Sequence, residues 1–151
     1  VPPSRRFESN EFAQEQGVYL MADLSERIQK ADWKKEKHVP VIECSDSVKA
    51  GEVFQVKLSL GKEVAHPNTT EHHISWIDLF FQPEGEKFTF HVGRFEFMAH
   101  GEAVSGPNEG PVYTHHEVVT SVKLGKSGDL HALALCNIHG LWESTKAVEV
   151  S

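Results

Sequence analysis

Runs in which apolar and polar residues alternate recur along most of the chain, and this two-residue period constrains the fold more than any other feature. Phe54, Val56, Leu58 and Leu60 alternate with polar residues, which predicts a strand with one buried face. Further strands are predicted at Ile77 to Phe81, Phe88 to Phe97, Val118 to Leu124, Leu130 to Cys136 and Ala147 to Val150. About seven short strands separated by turn residues predict an all-β fold, an antiparallel β-sandwich.

Local signals refine this prediction. The apolar parity changes at Gly93, which predicts a β-bulge there. The stretch 83–86 reads as a turn and the stretch 106–111 as a long surface loop. Asp23, with Glu26 three residues later, predicts a short N-terminal helix that ends near Lys30.

The length of 151 residues is typical of one folded domain. Residues 1–21 show no clear period, so we predict an N-terminal extension over 1–21 and a β-sandwich domain over 22–151. Arg5 and Arg6 are not followed by the apolar region of an export signal, and we expect a cytoplasmic protein.

The balance of charge excludes some partners. With 15 basic and 22 acidic residues the formal net charge is −7, which argues against nucleic acid or an anionic membrane as the main partner. No apolar run approaches the roughly 18 residues of a membrane-spanning helix. We therefore expect neither a nucleic-acid partner nor a membrane.

The chain has two cysteines, Cys44 and Cys136, and we expect both to be free thiols. Cys136 ends an apolar run and lies three residues before His139. A turn at Gly140 would bring this thiolate and imidazole together as half of a metal site. No role is predicted for Cys44.

Two histidine-rich stretches precede this half-site, at 36–40 and 66–73. His66 and His72 are six residues apart, and in a strand they would lie about 20 Å from each other. A loop must therefore fold back between them, and Pro67-Asn68-Thr69-Thr70 suits a loop. The same reasoning places Lys37 and His38 in a loop.

Together the three stretches offer four imidazoles and one thiolate. Five such ligands exceed the tetrahedral set of structural zinc and leave one octahedral position open, which suits redox iron. Copper is the alternative metal, but Met21 and Met98 do not follow the cysteine as the axial methionine of a copper site would. The other histidines are interpreted as ordinary residues or neighbours of the site: His73, His91, His100, His115, His116 and His131.

Three motifs carry a resemblance to a known family: Glu36-Lys37-His38-Val39-Pro40, the block from His66 to His73, and the stretch from Cys136 to Trp142. In this order they resemble the single-iron superoxide reductases, also called neelaredoxins, which share the iron-binding domain of the desulfoferrodoxins. The resemblance runs from about Asp32 to Trp142 and implies an immunoglobulin-like sandwich.

The resemblance also implies roles for individual residues. One iron per chain would have His38, His66, His72 and His139 in a plane and Cys136 as the axial ligand. Glu36 would occupy the open face in the oxidised form. Lys37 would stand near that face in the reduced form.

The implied reaction is the one-electron reduction of superoxide to hydrogen peroxide. Rubredoxin is the implied external electron donor, because Cys44 is the one cysteine before Cys136 and a four-cysteine iron site is lacking. The family also implies a homo-oligomer, with a tetramer favoured. A different class remains open at this point: a non-catalytic iron or copper β-sandwich protein for electron transfer or metal binding.

Overall fold

The computed structural model describes residues 21–151, which form eight β-strands and one very short helix. Helix α1 is Leu24–Arg27. The strands, in chain order, are β1 Val41–Glu43, β2 Ser47–Val48, β3 Phe54–Ser59, β4 Ile74–Pro83, β5 Phe90–Glu96, β6 Glu117–Val122, β7 Gly128–Cys136 and β8 Gly140–Val150. The predicted extension over 1–21 lies outside the described residues except for Met21, and the domain boundary stays a prediction.

The strands form two sheets. One has the order β1-β3-β6 and the other β2-β8-β7-β4-β5. Neighbouring strands are antiparallel except for the short parallel pair β2 and β8. The predicted all-β, immunoglobulin-like sandwich is thus confirmed, with eight strands instead of about seven.

The inward faces of both sheets share one apolar core. Val56 and Leu58 of β3 are fully buried against Ile77 and Leu79 of β4, as the alternating pattern predicts. Leu130 of β7 is also fully buried in this cluster. Burial of such side chains contributes roughly 1.5–3 kcal/mol each, so this core fixes the sheets on which the loops are mounted.

A β-bulge lies close to its predicted position. Leu79 pairs with Gly93 and Phe80 with His91, which leaves Val92 as the extra residue. The prediction that the strand begins at Phe88 is wrong. Pairing of β5 with β4 ends at the pair of Phe90 and Phe81, so Phe88 has no opposing residue and is 70% exposed.

The N-terminal helix is shorter than predicted. It ends at Arg27 instead of near Lys30, and the side chain of Asp23 forms no capping hydrogen bond. The reason lies in the next residues, because Gln29 forms a parallel bridge with Trp142 of β8. The amide of Gln29 donates to the carbonyl of Leu141 at 2.9 Å, so the chain adopts an extended conformation there.

Strand β8 is much longer than the predicted Ala147 to Val150. It begins at Gly140 and pairs with β7 from Cys136 opposite Gly140 to Gly128 opposite Val148. Its middle is polar, so the hydrophobic pattern gives little sign of it. The ladder to β7 holds this polar stretch in the sheet.

The loops that carry the predicted ligands lie at one end of the sandwich. Cys136, the last residue of β7, pairs with Ile74, the first residue of β4, and with Gly140, the first of β8. The amide of Asn137 donates to the carbonyl of His73 at 3.1 Å, which joins the histidine loop to this end. In the described part of the chain, no helix is long and apolar enough to cross a membrane.

Candidate metal centre

The hairpin between β7 and β8 positions a thiol and an imidazole. Cys136 ends β7 with only 1% of its surface exposed. Gly140 has a φ of 76°, a left-handed conformation that glycine adopts easily. The chain therefore reverses tightly, and the amide of His139 donates a hydrogen bond to Cys136 Sγ at 3.4 Å. The predicted turn is confirmed.

Residues distant in sequence meet at this turn. One ligand atom from each of His38, His72, Cys136 and His139 lies within 4.8 Å of all the others. His139 Nδ1 is 3.1 Å from His38 Nε2 and 3.2 Å from His72 Nε2. Two nitrogens bound at right angles to one ion, with bonds of about 2.1 Å, would be about 3.0 Å apart. The observed distances therefore suit a shared transition-metal ion.

His66 completes a ring of four imidazoles. Its ring centroid is 4.9 Å from that of His38 and 4.8 Å from that of His72. His139 closes the ring on the other side, at 4.6 Å from His38 and 4.9 Å from His72. Across the ring, His38 and His72 are 6.0 Å apart. Each imidazole thus has two neighbours, as four ligands in a plane would have.

The hydrogen bond of His66 leaves its Nε2 free to bind a metal ion. Its Nδ1 donates to the carbonyl of Pro67 at 2.6 Å. Its Nε2 is buried and has no hydrogen-bond partner among the described residues. Burial lowers the pKa of His66 to about 4, so the ring is neutral at pH 7. An unpaired buried nitrogen costs free energy, and a metal ion would use it as a ligand.

Gly61 lets the chain approach His66 closely. It has a φ of 79°, and a Cβ at this position would lie 2.8 Å from the backbone nitrogen of His66. Two features therefore require glycine here: the left-handed backbone and the lack of space.

His72 is presented by a small turn. The amide of Thr69 donates to the carbonyl of His72 at 2.9 Å, and the amide of His72 donates to Thr69 Oγ1 at 3.0 Å. These bonds fold the loop back, as the spacing of His66 and His72 requires. The predicted loop is confirmed.

Asn137 links the two ligand-bearing loops, and the sequence reasoning assigned it no role. Its Oδ1 accepts from the amide of His73 at 2.9 Å, and its Nδ2 donates to the carbonyl of Glu71 at 2.9 Å. Its place between Cys136 and His139, in a turn with a short polar side chain, is the signal that could have indicated it.

Glu36 lies against His38. Its Oε1 accepts from His38 Nδ1 at 2.6 Å and from the amide of His38 at 3.2 Å. Burial raises the pKa of Glu36, but these hydrogen bonds and the charges of His38 and Lys37 outweigh it, so the pKa lies below its usual value. The carboxylate fixes the tautomer of His38 and leaves Nε2 free for a metal.

The charge of Lys37 acts on the site. Burial lowers the pKa of His72, and the charges of His139, His38 and Lys37 lower it further. Lys37 itself is half-buried. The ammonium group is thus close enough to the imidazoles to influence an anion that arrives there.

The centre is buried on one side and open on the other. His38 and His66 are each only 6% exposed, whereas His139 is exposed. The indole of Trp142 stacks on His38, and its Nε1 donates to the carbonyl of His139 at 3.1 Å. Solvent therefore reaches the centre most closely at His139.

The group of four residues whose ligand atoms lie together, here called the metal group, is His38, His72, Cys136 and His139. His66 and the histidines predicted to have no ligand role lie outside it. His73 stacks face to face on His100, with ring centroids 3.4 Å apart, and His91 pairs with Asp78. Cys44 and Cys136 are both free, as predicted. The methionines considered for copper, Met21 and Met98, are 84% and 76% exposed.

A β-sandwich that gathers histidine and cysteine side chains from three loops at one end defines a protein with a candidate histidine–cysteine metal site. Residues 30–145 match the family model described as desulfoferrodoxin. The chain belongs to the desulfoferrodoxin family, and within it to the single-iron superoxide reductases. The resemblance found in the sequence is confirmed.

The matches with known proteins extend over nearly the whole length of each relative. A neelaredoxin from Megalodesulfovibrio gigas is 62% identical over 125 residues, which cover 83% of this chain and 96% of the relative. A superoxide reductase from Pyrococcus furiosus is 55% identical over 126 residues, which cover 83% and 99%. The solved structure of a superoxide reductase (neelaredoxin) from Archaeoglobus fulgidus in the reduced form has a TM-score of 0.75 and 57% identity. The match covers 81% of this chain and 98% of that one.

Proposed function

We propose that the protein reduces superoxide to hydrogen peroxide at one iron ion per chain, held by His38, His66, His72, His139 and Cys136. The ring of imidazoles around the end of β7, with the unpaired Nε2 of His66, is the observation that supports this proposal most. When bound, iron would supply one electron, passing from Fe²⁺ to Fe³⁺ while superoxide and two protons become hydrogen peroxide.

Lys37 has the task of attracting the substrate. Superoxide is an anion and the protein carries a net charge of −7, so a local cation must offset the overall field. Lys37 is a half-buried residue next to Glu36 and His38, and its positive charge acts on His72, whose pKa it lowers. It can also orient a water molecule that gives a proton to the product.

Glu36 has two proposed tasks. In this structure its carboxylate holds His38 through two hydrogen bonds to one oxygen. The family resemblance further makes Glu36 a ligand of ferric iron. That second position requires the carboxylate to leave His38, so the two tasks belong to different states of the site.

Cys136 supplies the thiolate. Its sulfur is buried and accepts a hydrogen bond from the amide of His139. Such a bond draws electron density from the sulfur and tunes how strongly it stabilises the ferric state. The backbone of the hairpin thereby sets the reduction potential of the centre.

The wider assignment follows the family. We propose an acidic rubredoxin as the electron donor, a homo-oligomer, most simply a tetramer, as the assembly, and the cytoplasm as the location. The net charge of −7 agrees with the absence of nucleic acid and anionic membrane from this set of partners.

The function is tested by metal analysis together with rapid mixing. The purified protein should contain about one iron per chain, and the ferrous form should gain colour when pulse radiolysis generates superoxide. Each iron oxidised should yield one hydrogen peroxide and no dioxygen. A ferrous protein that does not react with superoxide would instead support the non-catalytic electron-transfer alternative. The same holds for a protein that binds neither azide nor cyanide because its metal has no free coordination position.

A further inference from the structure

The ligand loop, which we define as residues 66–73, is fastened to a second loop further along the chain. The hydroxyl of Thr70 donates to the carbonyl of His100 at 2.7 Å, and the amide of Thr70 donates to Asn108 Oδ1 at 2.7 Å. The surface loop that the sequence predicts over 106–111 therefore contacts the part of the chain that presents two proposed ligands.

Asn108 forms two further kinds of hydrogen bond with the ligand loop. Its Nδ2 donates to the two carboxylate oxygens of Glu71, at 2.8 and 3.1 Å. Its backbone amide donates to Thr70 Oγ1 at 3.1 Å. Hydrogen bonds to an ionised acceptor are roughly twice as strong as those between neutral groups. One asparagine thus binds two consecutive residues of the ligand loop.

The backbone of Asn108 is itself held in an uncommon conformation. Within residues 21–151, Asn108 is the one non-glycine residue with a positive φ, at 61°. Asparagine tolerates this left-handed region because its short polar side chain can form local hydrogen bonds. The carbonyl of Asn108 accepts from the hydroxyl of Tyr113 at 3.2 Å, and a Cβ at Gly101 would collide with that hydroxyl. Such a conformation persists where the surrounding structure fixes it, often near functional sites.

His72 depends on its loop for its orientation. Nδ1 of His38 is hydrogen-bonded to Glu36, and Nδ1 of His66 to the carbonyl of Pro67. Among the described residues, Nδ1 of His72 has no such partner, and its ring bonds through Nε2 alone. The direction of the His72 ring therefore depends on where the ligand loop holds its backbone.

Glu71, the residue before His72, is held from two sides. Asn137 Nδ2 donates to its carbonyl at 2.9 Å, and Asn108 Nδ2 donates to its carboxylate. Asn137 belongs to the hairpin turn of the candidate metal site, whereas Asn108 lies on a loop that carries no proposed ligand. The two asparagines therefore clamp the backbone that leads into His72.

We propose that Asn108 is a positioning residue of the metal site, which fixes Thr70 and Glu71 and thereby aims Nε2 of His72 at the ion. This inference rests on the proposed function, because His72 is taken to be an iron ligand. Residues that orient a ligand from outside the coordination sphere commonly change metal affinity by about 10–100-fold when they are removed. Asn108 acts in this way although it touches no proposed ligand.

Iron-loaded Asn108→Gly tests the loss of the side chain. Glycine adopts the left-handed backbone easily, so this variant removes the bonds to Thr70 and Glu71 without straining the chain. We expect iron loss to a chelator to become about tenfold faster. The electron paramagnetic resonance spectrum of the ferric ion should also change, because a displaced His72 alters the symmetry of the ligands around the metal.

An exchange of two polar groups provides a rescue. Asn108→Asp alone places two carboxylates face to face and should accelerate iron loss about as much as Asn108→Gly does. In Asn108→Asp/Glu71→Gln the new amide donates to the new carboxylate, so the hydrogen bond runs in the opposite direction at unchanged net charge. This double variant should restore the ferric spectrum and return iron loss to within about twofold of the unaltered protein.

Thr89→Val is the control. It removes an exposed hydroxyl that donates to Gln82 Oε1. Gln82 pairs with Asp129 at the end of β4 that lies away from Ile74 and Cys136. Iron loss from this variant should change by less than about twofold, as for an ordinary surface substitution. Urea unfolding of every variant in its iron-free form gives the stability for comparison.

The proposal is overturned if Asn108→Gly loses iron at the rate of the unaltered protein with an unchanged ferric spectrum, or if the exchanged pair restores neither measurement. It is also overturned if iron loss follows only the unfolding free energies of the variants while the spectrum stays the same, because the role would then be purely structural. Iron content and the superoxide reaction of the unaltered protein are measured separately. Absence of bound iron there would end the proposed function as well, whereas bound iron with insensitive variants would end this inference alone.

Discussion

The indole of Trp142 lies stacked on the imidazole of His38, with ring centroids 5.0 Å apart and ring planes 19° apart. Glu36 holds the same imidazole by its Nδ1. Two side chains from opposite ends of the chain thus fix the orientation of one proposed ligand. Supporting contacts of this kind commonly decide how well a metal site retains its ion.

The stacking contact can be tested by substitution at Trp142. Trp142→Leu removes the flat surface under His38, and we expect iron loss to a chelator to become about tenfold faster. Trp142→Phe keeps an aromatic surface and should stay close to the unaltered protein. Equal rates of iron loss in the Leu and Phe variants would show that stacking does not hold His38.

Gly61 and Gly51 form a matched pair. Both have left-handed backbones, with φ of 79° and 75°, but a Cβ at Gly51 meets nothing within 4 Å whereas one at Gly61 meets the backbone nitrogen of His66. Gly51→Ala should cost about 1–2 kcal/mol of unfolding free energy from the backbone conformation alone. Gly61→Ala should cost at least about 1 kcal/mol more and should also lower the iron content. Urea unfolding and metal analysis check this, and equal effects of the two substitutions would contradict it.

Cys136→Ser should abolish the visible absorption that the proposed bond between the Cys136 thiolate and ferric iron would give the oxidised protein. Cys44→Ser is the control, since Cys44 is a free, half-buried thiol outside the metal group. It should leave the spectrum unchanged. Persistence of the colour in Cys136→Ser would remove Cys136 from the ligand set.

Lys37→Ala should keep the iron and slow the second-order reaction with superoxide by about tenfold at low ionic strength, because the attracting charge is lost. The remaining rate should also depend less on salt. Lys123→Ala, at the other end of the sandwich, should change neither. Pulse radiolysis gives the rates, and a rate for Lys37→Ala equal to that of the unaltered protein would exclude the steering role.

The iron-free protein should lose stability in mild acid. Burial lowers the pKa of both His66 and His116 to about 4 in the folded chain, below the usual 6.5. Below pH 6.5 the unfolded chain therefore binds protons at these two positions that the folded chain does not. The free energy of unfolding is highest above pH 6.5 and decreases as the pH falls from 6.5 towards 4. Each contributes about 1–3 kcal/mol, since one pKa unit corresponds to about 1.4 kcal/mol.

Urea unfolding of the iron-free protein across this range measures the effect. His116→Phe should flatten the acid side of the stability profile, because one buried group that resists protonation is gone. His115→Asn changes an exposed neighbour and should leave the profile unaltered. If both variants show the same dependence of stability on pH as the unaltered protein, burial of His116 does not cause the loss of stability in acid.

The strands that face the core could be predicted because their side chains alternate. Val56 and Leu58 are completely buried on one face of β3, as the pattern requires. The middle of β8 could not be predicted, because its strand conformation comes from pairing with β7 and not from its own residues. The early end of α1 has the same cause: Gln29 pairs with Trp142, which lies far away in the sequence.

For the candidate metal site, the sequence predicted the loops that bring His38, His72, Cys136 and His139 together, but not the residues that support those loops. Glu36 was assigned to the open face by resemblance, whereas its carboxylate here lies on Nδ1 of His38. Asn137 and Trp142 act through contacts with segments more than sixty residues away. Such long-range contacts leave no periodic pattern, so spacing alone cannot indicate them.

The pairing of His38 with His139 spans 101 positions of the chain. An ion bound by both would act as a cross-link that closes a loop of about this length, and in the chain-entropy model a disulfide of that span contributes about 4.7 kcal/mol. Loss of iron would therefore do more than stop catalysis, because it would remove this cross-link between the N-terminal segment and the last hairpin. We expect the lifetime of the folded chain in the cell to follow its metal content.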